Sequence, residues 1–168
     1  MSRKAKQAAQ KILERFGDTL PIKLDAILKE HNISVRKEKL EDKTSGMLVI
    51  KDSYAIIGIN DNHHPNRQRF TIAHELGHFL LHHTVSNVFI DSSLVFFRDE
   101  KASEGTKRQE IEANTFAAEL LMPESVLIEK VRNLPPDDDK AVKELADEFA
   151  VSVQALTIRL TKLGLITA

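Results

Sequence analysis

His74-Glu75-Leu76-Gly77-His78 sets two imidazoles four residues apart, with a carboxylate directly after the first. If the stretch is helical, both histidines project from one face about one turn apart and reach a single ion. Glu75 then lies about 100° round from His74, on the flank where an activated water would sit. The chemistry open to such a set is hydrolysis, in which zinc acidifies a water and the adjacent carboxylate takes its proton. His-Glu-x-x-His is a short pattern, so the rest of the chain has to support it.

A catalytic zinc site takes three protein ligands and keeps one position open. The chain of 168 residues has no cysteine, so the third ligand must be His, Asp or Glu. The metzincin continuation needs glycine at position 81 and histidine at 84, where Leu81 and Thr84 stand. A glutamate on a later helix is the alternative, and the expected helix over 107–121 offers Glu110, Glu112 and Glu119. At 100° per residue Glu110 shares its face with Ala113, Asn114 and Ala117, small residues that permit close approach to another helix. Glu112 and Glu119 fall together on the opposite side, which reads as solvent-exposed. Glu110 is therefore the better ligand, with Glu112 left open. Asn114, one turn on, is placed to hydrogen-bond a ligand histidine.

These residues need elements to hold them. A helix is expected over 3–16, with Ala8, Ile12, Leu13 and Phe16 as its apolar stripe and Gly17 as its stop. A second follows Pro21, with Leu24, Ile27 and Leu28 inward, and Ile33-Ser34-Val35 reads as a strand. Gly46-Met47-Leu48-Val49-Ile50 and Tyr54-Ala55-Ile56-Ile57-Gly58-Ile59 read as a hairpin. Asn66 is a candidate cap for the motif helix. That helix is apolar nearly all round, which predicts burial, and buried ionisable groups must be paired or metal-bound. Residues 84–106 look irregular, with a strand-like piece at 93–97 and a polar loop at 99–106. After Pro135-Pro136 come two helical patterns, 140–149 and 152–163. The fold class expected is α+β, helical with a small, mostly antiparallel three-stranded sheet and a C-terminal helix-turn-helix-like pair. One metallopeptidase domain is expected over 1–168, with a catalytic part at 1–133 and a helical appendage at 137–168.

Composition removes several function classes. The net charge of −1 gives no general attraction to nucleic acid or membranes. The basic start Arg3-Lys4 is followed by no apolar stretch of a signal peptide, and no apolar run is long enough to span a bilayer. A cytoplasmic protein is expected. Residues 137–168 carry a net −2, where a reader of DNA would show a basic footprint, so direct DNA binding is not expected.

With Arg67-Gln68-Arg69-Phe70-Thr71-Ile72-Ala73-His74-Glu75-Leu76-Gly77-His78 and Glu110-Ile111-Glu112-Ala113-Asn114-Thr115-Phe116-Ala117-Ala118-Glu119-Leu120-Leu121-Met122-Pro123 in this order, the sequence resembles the ImmA/IrrE metallo-endopeptidases. The hairpin and residues 145–165 also fit. The one departure is Ala150, where such a turn often has glycine. The resemblance implies a gluzincin-like fold, a zinc-dependent endopeptidase and, as protein substrate, a helix-turn-helix repressor or antitoxin whose cleavage relieves repression. It also implies links to stress response and toxin–antitoxin systems.

Combined, these readings assign His74, His78 and Glu110 to Zn²⁺, with Mn²⁺ as a possible substitute, and Glu75 to general base and acid. Donors for a developing oxyanion are sought in Tyr54, His82 and Arg98. His82 is placed on the motif face one turn beyond His78. An extended substrate is expected to add to a sheet edge along residues 46–50. The rival reading is a toxin–antitoxin or regulatory binding partner with a structural or vestigial zinc site, against which the intact Glu75 weighs.

Overall fold

The computed structural model describes residues 2–51, 54–82, 88–92, 100–132, 135 and 138–166, with side chains omitted at 88–92 and 100–104. Among the described residues seven helices and four strands run in the order α1 (Arg3–Phe16), α2 (Leu24–Glu30), β1 (Ile33–Glu38), β2 (Thr44–Lys51), β3 (Tyr54–Asn60), α3 (Pro65–Leu80), β4 (Val88–Ser92), α4 (Glu100–Leu121), α5 (Glu124–Val131), α6 (Asp139–Phe149) and α7 (Val153–Lys162). The α+β class is as expected. The three strands read from the sequence are joined by β4, giving one mixed sheet in the order β1-β3-β2-β4. β1 pairs with β3 in parallel, and β2 pairs antiparallel with both β3 and β4.

Leu48, Ala55, Ile57 and Ile59 of the hairpin are buried against Ala73 and Leu76 of α3, so the period-2 alternation of β2 meets the motif helix. α3 is buried from Ala73 through His78 without interruption, as its all-round apolar character predicts. Its cap differs from the expectation. His64, not Asn66, is the N-cap: its Nδ1 accepts from the Asn66 backbone, and Pro65 fills the first helical position, where a missing N–H costs nothing. The Asn66 side chain instead donates to the carbonyl of Val151 at 3.0 Å, in the turn between α6 and α7.

Two buried amides tie the sheet to α3. Asn60 donates to the carbonyls of Leu40, Glu41 and Thr44 and accepts from the Asn62 backbone. Gln68 donates to the carbonyls of Asn60, Asp61 and His63. The entry to β2, the exit of β3 and the first turn of α3 thereby share one hydrogen-bond network.

α4 begins at Glu100, so the expected polar loop at 99–106 is helical from its second residue onward. The stretch expected to be irregular also holds β4, while the strand-like piece at 93–97 lies outside the described residues. α5 was not anticipated; its cues are Pro123 at the N-cap and Glu124 in the first turn. Leu145, Phe149, Leu156 and Leu160 of α6 and α7 enter the same hydrophobic core as α1, α3 and α4. α6 ends on Ala150 at φ 52° and ψ 48°, a left-handed C-cap without glycine.

Candidate metal centre

α3 and α4 touch where neither carries bulk. A Cβ added to Gly77 would lie 3.2 Å from Ala113 Cα, 3.3 Å from its carbonyl oxygen and 3.0 Å from Phe116 Cδ1. That contact brings the Glu110 carboxylate over the two histidines of α3. His74 Nε2 lies 3.2 Å from Glu110 Oε2, and His78 Nε2 lies 3.2 Å from Oε1. The two Nε2 atoms are 3.0 Å apart. Ligand atoms about 2.0–2.1 Å from a tetrahedral zinc stand roughly 3.3 Å from one another. The triangle of His74, His78 and Glu110 therefore has the dimensions of one face of such a site, and it forms a group able to hold a metal ion.

Donor chemistry gives the same answer. Asn114 Oδ1, which can only accept, lies 3.1 Å from His74 Nδ1, so that nitrogen carries the proton. Nε2 of a neutral His74 then turns a lone pair toward a carboxylate and a second imidazole nitrogen. A cation balances such a set, either an extra proton on the imidazoles or a divalent metal. Glu110 feels both histidines. Burial pushes its carboxyl up, but hydrogen bonds and charge from His74 and His78 outweigh burial and hold it at about 2.

Glu75 is fully buried, on the side of α3 that faces β2. Gly46 makes that approach possible: a Cβ there would fall 2.5 Å from Thr71 Cγ2, 3.0 Å from the Gly58 carbonyl oxygen and 3.5 Å from Glu75 Oε1. The arrangement is two imidazoles and a carboxylate around one point, with a second carboxylate beside the sheet. It can hold a divalent metal and serve a hydrolytic proton transfer.

Residues 28–161 match the Peptidase_M78 model, described as the IrrE N-terminal-like domain. The chain belongs to this family. It is 30% identical over 122 residues to an uncharacterized immunity region protein 2 of Bacillus phage phi105, covering 73% of this chain and 70% of that one. It is 36% identical over 110 residues to the radiation response metalloprotease IrrE of Deinococcus radiodurans, covering 64% of this chain but only 31% of the relative. A solved Mycobacterium tuberculosis transcriptional regulator shares the fold, with a TM-score of 0.62 at 17% identity over 95% of this chain and 47% of that one. Membership of this peptidase family supports a metallopeptidase type of role, and the cluster fits a divalent metal.

Within this M78 domain the remaining sequence-derived candidates fall in several places. Asn114 meets His74, as above. Tyr54 is 46% exposed at the far end of the hairpin, paired with Lys51 while Gly46 pairs with Ile59. Five residues of strand, about 17 Å, separate it from the level of Glu75, so it does not join the cluster. His82 is not one turn beyond His78 on the motif face. α3 ends at Leu80, and His82 follows in a left-handed conformation at φ 55°, exposed. Arg98 lies outside the described residues.

Glu112 and Glu119 are a further correction, since both are buried. Glu112 accepts from Ser2 Oγ at 3.1 Å and pairs with Arg108, so its carboxylate is engaged away from the histidines. Glu119 pairs with Arg159 of α7, both side chains being almost wholly enclosed, and Arg159 Nε also donates to the Met122 carbonyl. The expected substrate edge is corrected too. β2 is flanked by β3 and β4, which pair with residues 46–49 on both sides. Gly46 and Gly77 were missed as positioning residues; their only sequence signal was glycine inside a strand and inside a helix.

Proposed function

We propose that this chain is a zinc-dependent endopeptidase acting in the cytoplasm on a helix-turn-helix repressor or antitoxin. The observation that carries the reading is the convergence of His74, His78 and Glu110 on one point, with Glu75 enclosed on the same helix. His74, His78 and Glu110 would hold Zn²⁺, or Mn²⁺ where availability favours it. When bound, the metal supplies Lewis acidity toward the scissile carbonyl and acidifies the attacking water.

Asn114 fixes the tautomer and ring orientation of His74. Glu75 takes a proton from the water and returns it to the leaving amine. Its enclosure between α3 and β2 keeps that carboxylate in one place during both transfers. An extended substrate would pair with the outer edge of β4, which has no partner strand beyond it among the described residues. Residues 1–133 are read as the catalytic part and 137–168 as a supporting appendage of the same domain. The phage relative's name, immunity region protein, favours a repressor as substrate.

Replacing Glu75 with Gln is expected to keep zinc bound while cleavage of the repressor encoded nearby falls roughly 10²–10⁴-fold. Chelation should abolish cleavage by the parent protein. Zinc-loaded protein that binds the repressor but never cuts it would move the reading to a regulatory partner with a vestigial site. A Glu75→Gln variant as active as the parent would remove the proton-transfer mechanism. Direct DNA reading has no support in α6 and α7, because Lys140 and Lys143 of α6 are paired with Glu144 and Asp147, and Arg159 of α7 is buried against Glu119.

A further inference from the structure

Arg67 stands on the same stripe of α3 as the two histidines. It precedes His74 by seven residues and His78 by eleven, spacings that return to within about 20° of one direction at 100° per residue. Thr71, four residues on, occupies the same stripe and lies against Gly46. The Arg67 side chain is exposed, and its Nη2 donates to Ser45 Oγ at 3.0 Å. Ser45 lies at the register shift between Thr44 and Gly46, where the regular pairing of β2 with β4 is interrupted. At that irregularity Ser45 orients the guanidinium. Only one of five N–H donors is used in this contact, and among the described residues no carboxylate pairs with Arg67. By contrast Arg69, two residues on, turns to the opposite side and donates to the Ile22 carbonyl.

We propose that Arg67, oriented by Ser45, forms a subsite for a carboxylate of the bound polypeptide, fixing an acidic residue at a set distance from the scissile bond. The inference rests on the peptidase reading above for the meaning of that distance. Seven residues of helix rise about 10.5 Å, which matches roughly three residues of extended chain at 3.2–3.4 Å each. The carboxylate therefore belongs about three residues from the cut, on one side of it. A planar guanidinium fork suits a side-chain carboxylate or a chain terminus equally well, so the probes must separate them.

The test uses the full chain loaded with zinc and a degenerate peptide library with amidated C-termini, cleavage sites being read by mass spectrometry. The parent protein is expected to enrich Asp or Glu at one position about three residues from the cut. Arg67→Gln should lose that enrichment, the ratio of kcat/KM for acidic over neutral peptides at that position falling toward one. Arg67→Glu should turn the preference toward Lys and Arg. For a favourable peptide the loss in kcat/KM is expected to be about three- to tenfold, carried by KM. A second arm measures binding of arrayed peptides to the Glu75→Gln protein with and without Arg67→Gln. Acidic peptides held more tightly only when Arg67 is present support the subsite even if the parent cuts nothing, an outcome that would overturn the peptidase reading alone. The same arm repeated with free C-termini shows whether a terminal carboxylate is preferred to a side chain. Equal profiles for the parent and Arg67→Gln in either arm overturn the subsite.

Discussion

Helix α3 brings His74, Glu75 and His78 to the cluster through spacing within five residues, whereas α4 delivers Glu110 and Asn114 only through its packing on α3. The first arrangement survives wherever α3 is helical. The second depends on how the two helices pack, with Gly77 against Ala113 and Phe116 as a close approach between them. The difference separates what a local pattern secures from what tertiary packing has to supply, and it can be broken one side at a time.

Gly77→Ala should give the largest effect. The added methyl meets both the Phe116 ring and the Ala113 backbone at 3.0–3.3 Å, so α4 must give way slightly, at an expected cost of about 1–3 kcal/mol in stability. Zinc affinity should fall with it, because Glu110 rides on α4 while the histidine pair is untouched. Calorimetric unfolding and competition with a chromogenic chelator read the two effects separately. Unchanged affinity would show that α4 reaches the cluster by some other contact.

Acid response gives a second, smaller separation in the metal-free protein. The Glu110 carboxyl is held at about 2 against an ordinary 4.5. A depressed folded-state value means its contribution is complete above 4.5 and fades as pH falls from there toward 2. Allowing for partial exposure, the amount is on the order of 2 kcal/mol. Denaturant midpoints followed between pH 6 and 2, in roughly the window where carboxylates titrate, should fall less steeply for Glu110→Gln than for the parent. Parallel curves would mean that the histidines do not hold this carboxylate.

Asn114→Ala tests the orientation of His74 without touching the contact at Gly77. Metal affinity is expected to fall roughly 10–100-fold, with little change in melting temperature since Asn114 is exposed. Ala150→Gly is the control distant from both helices in sequence. Relieving the left-handed conformation at φ 52° should stabilise the protein by about 1 kcal/mol and leave metal affinity alone.

The same contrast explains what the sequence disclosed. His74 and His78 were legible because helical spacing is a local property, and Glu110 because small residues on its face signal close packing. Glu112 and Glu119 were misread as exposed. Helical angle alone does not reveal that Ser2 or Arg159, far along the chain, will cover a given carboxylate. Tyr54 was nominated by residue type, and only strand register shows that it belongs to the other end of the hairpin. His82 was carried past the point where the helix stops. The α+β class followed from periodicity, but the central place of β2 depends on β4, whose pairing is non-local.

The enclosed pair Glu119–Arg159 makes the two halves of the chain mutually obligate. Arg159→Met, which keeps α7 in place, would leave the Glu119 carboxylate enclosed without its counter-charge, a defect that typically costs about 3–5 kcal/mol. The helix that bears that carboxylate also bears Glu110. A fault at that pair would thus reach the cluster through α4 and the stability of the fold, with no change to any residue that lines it.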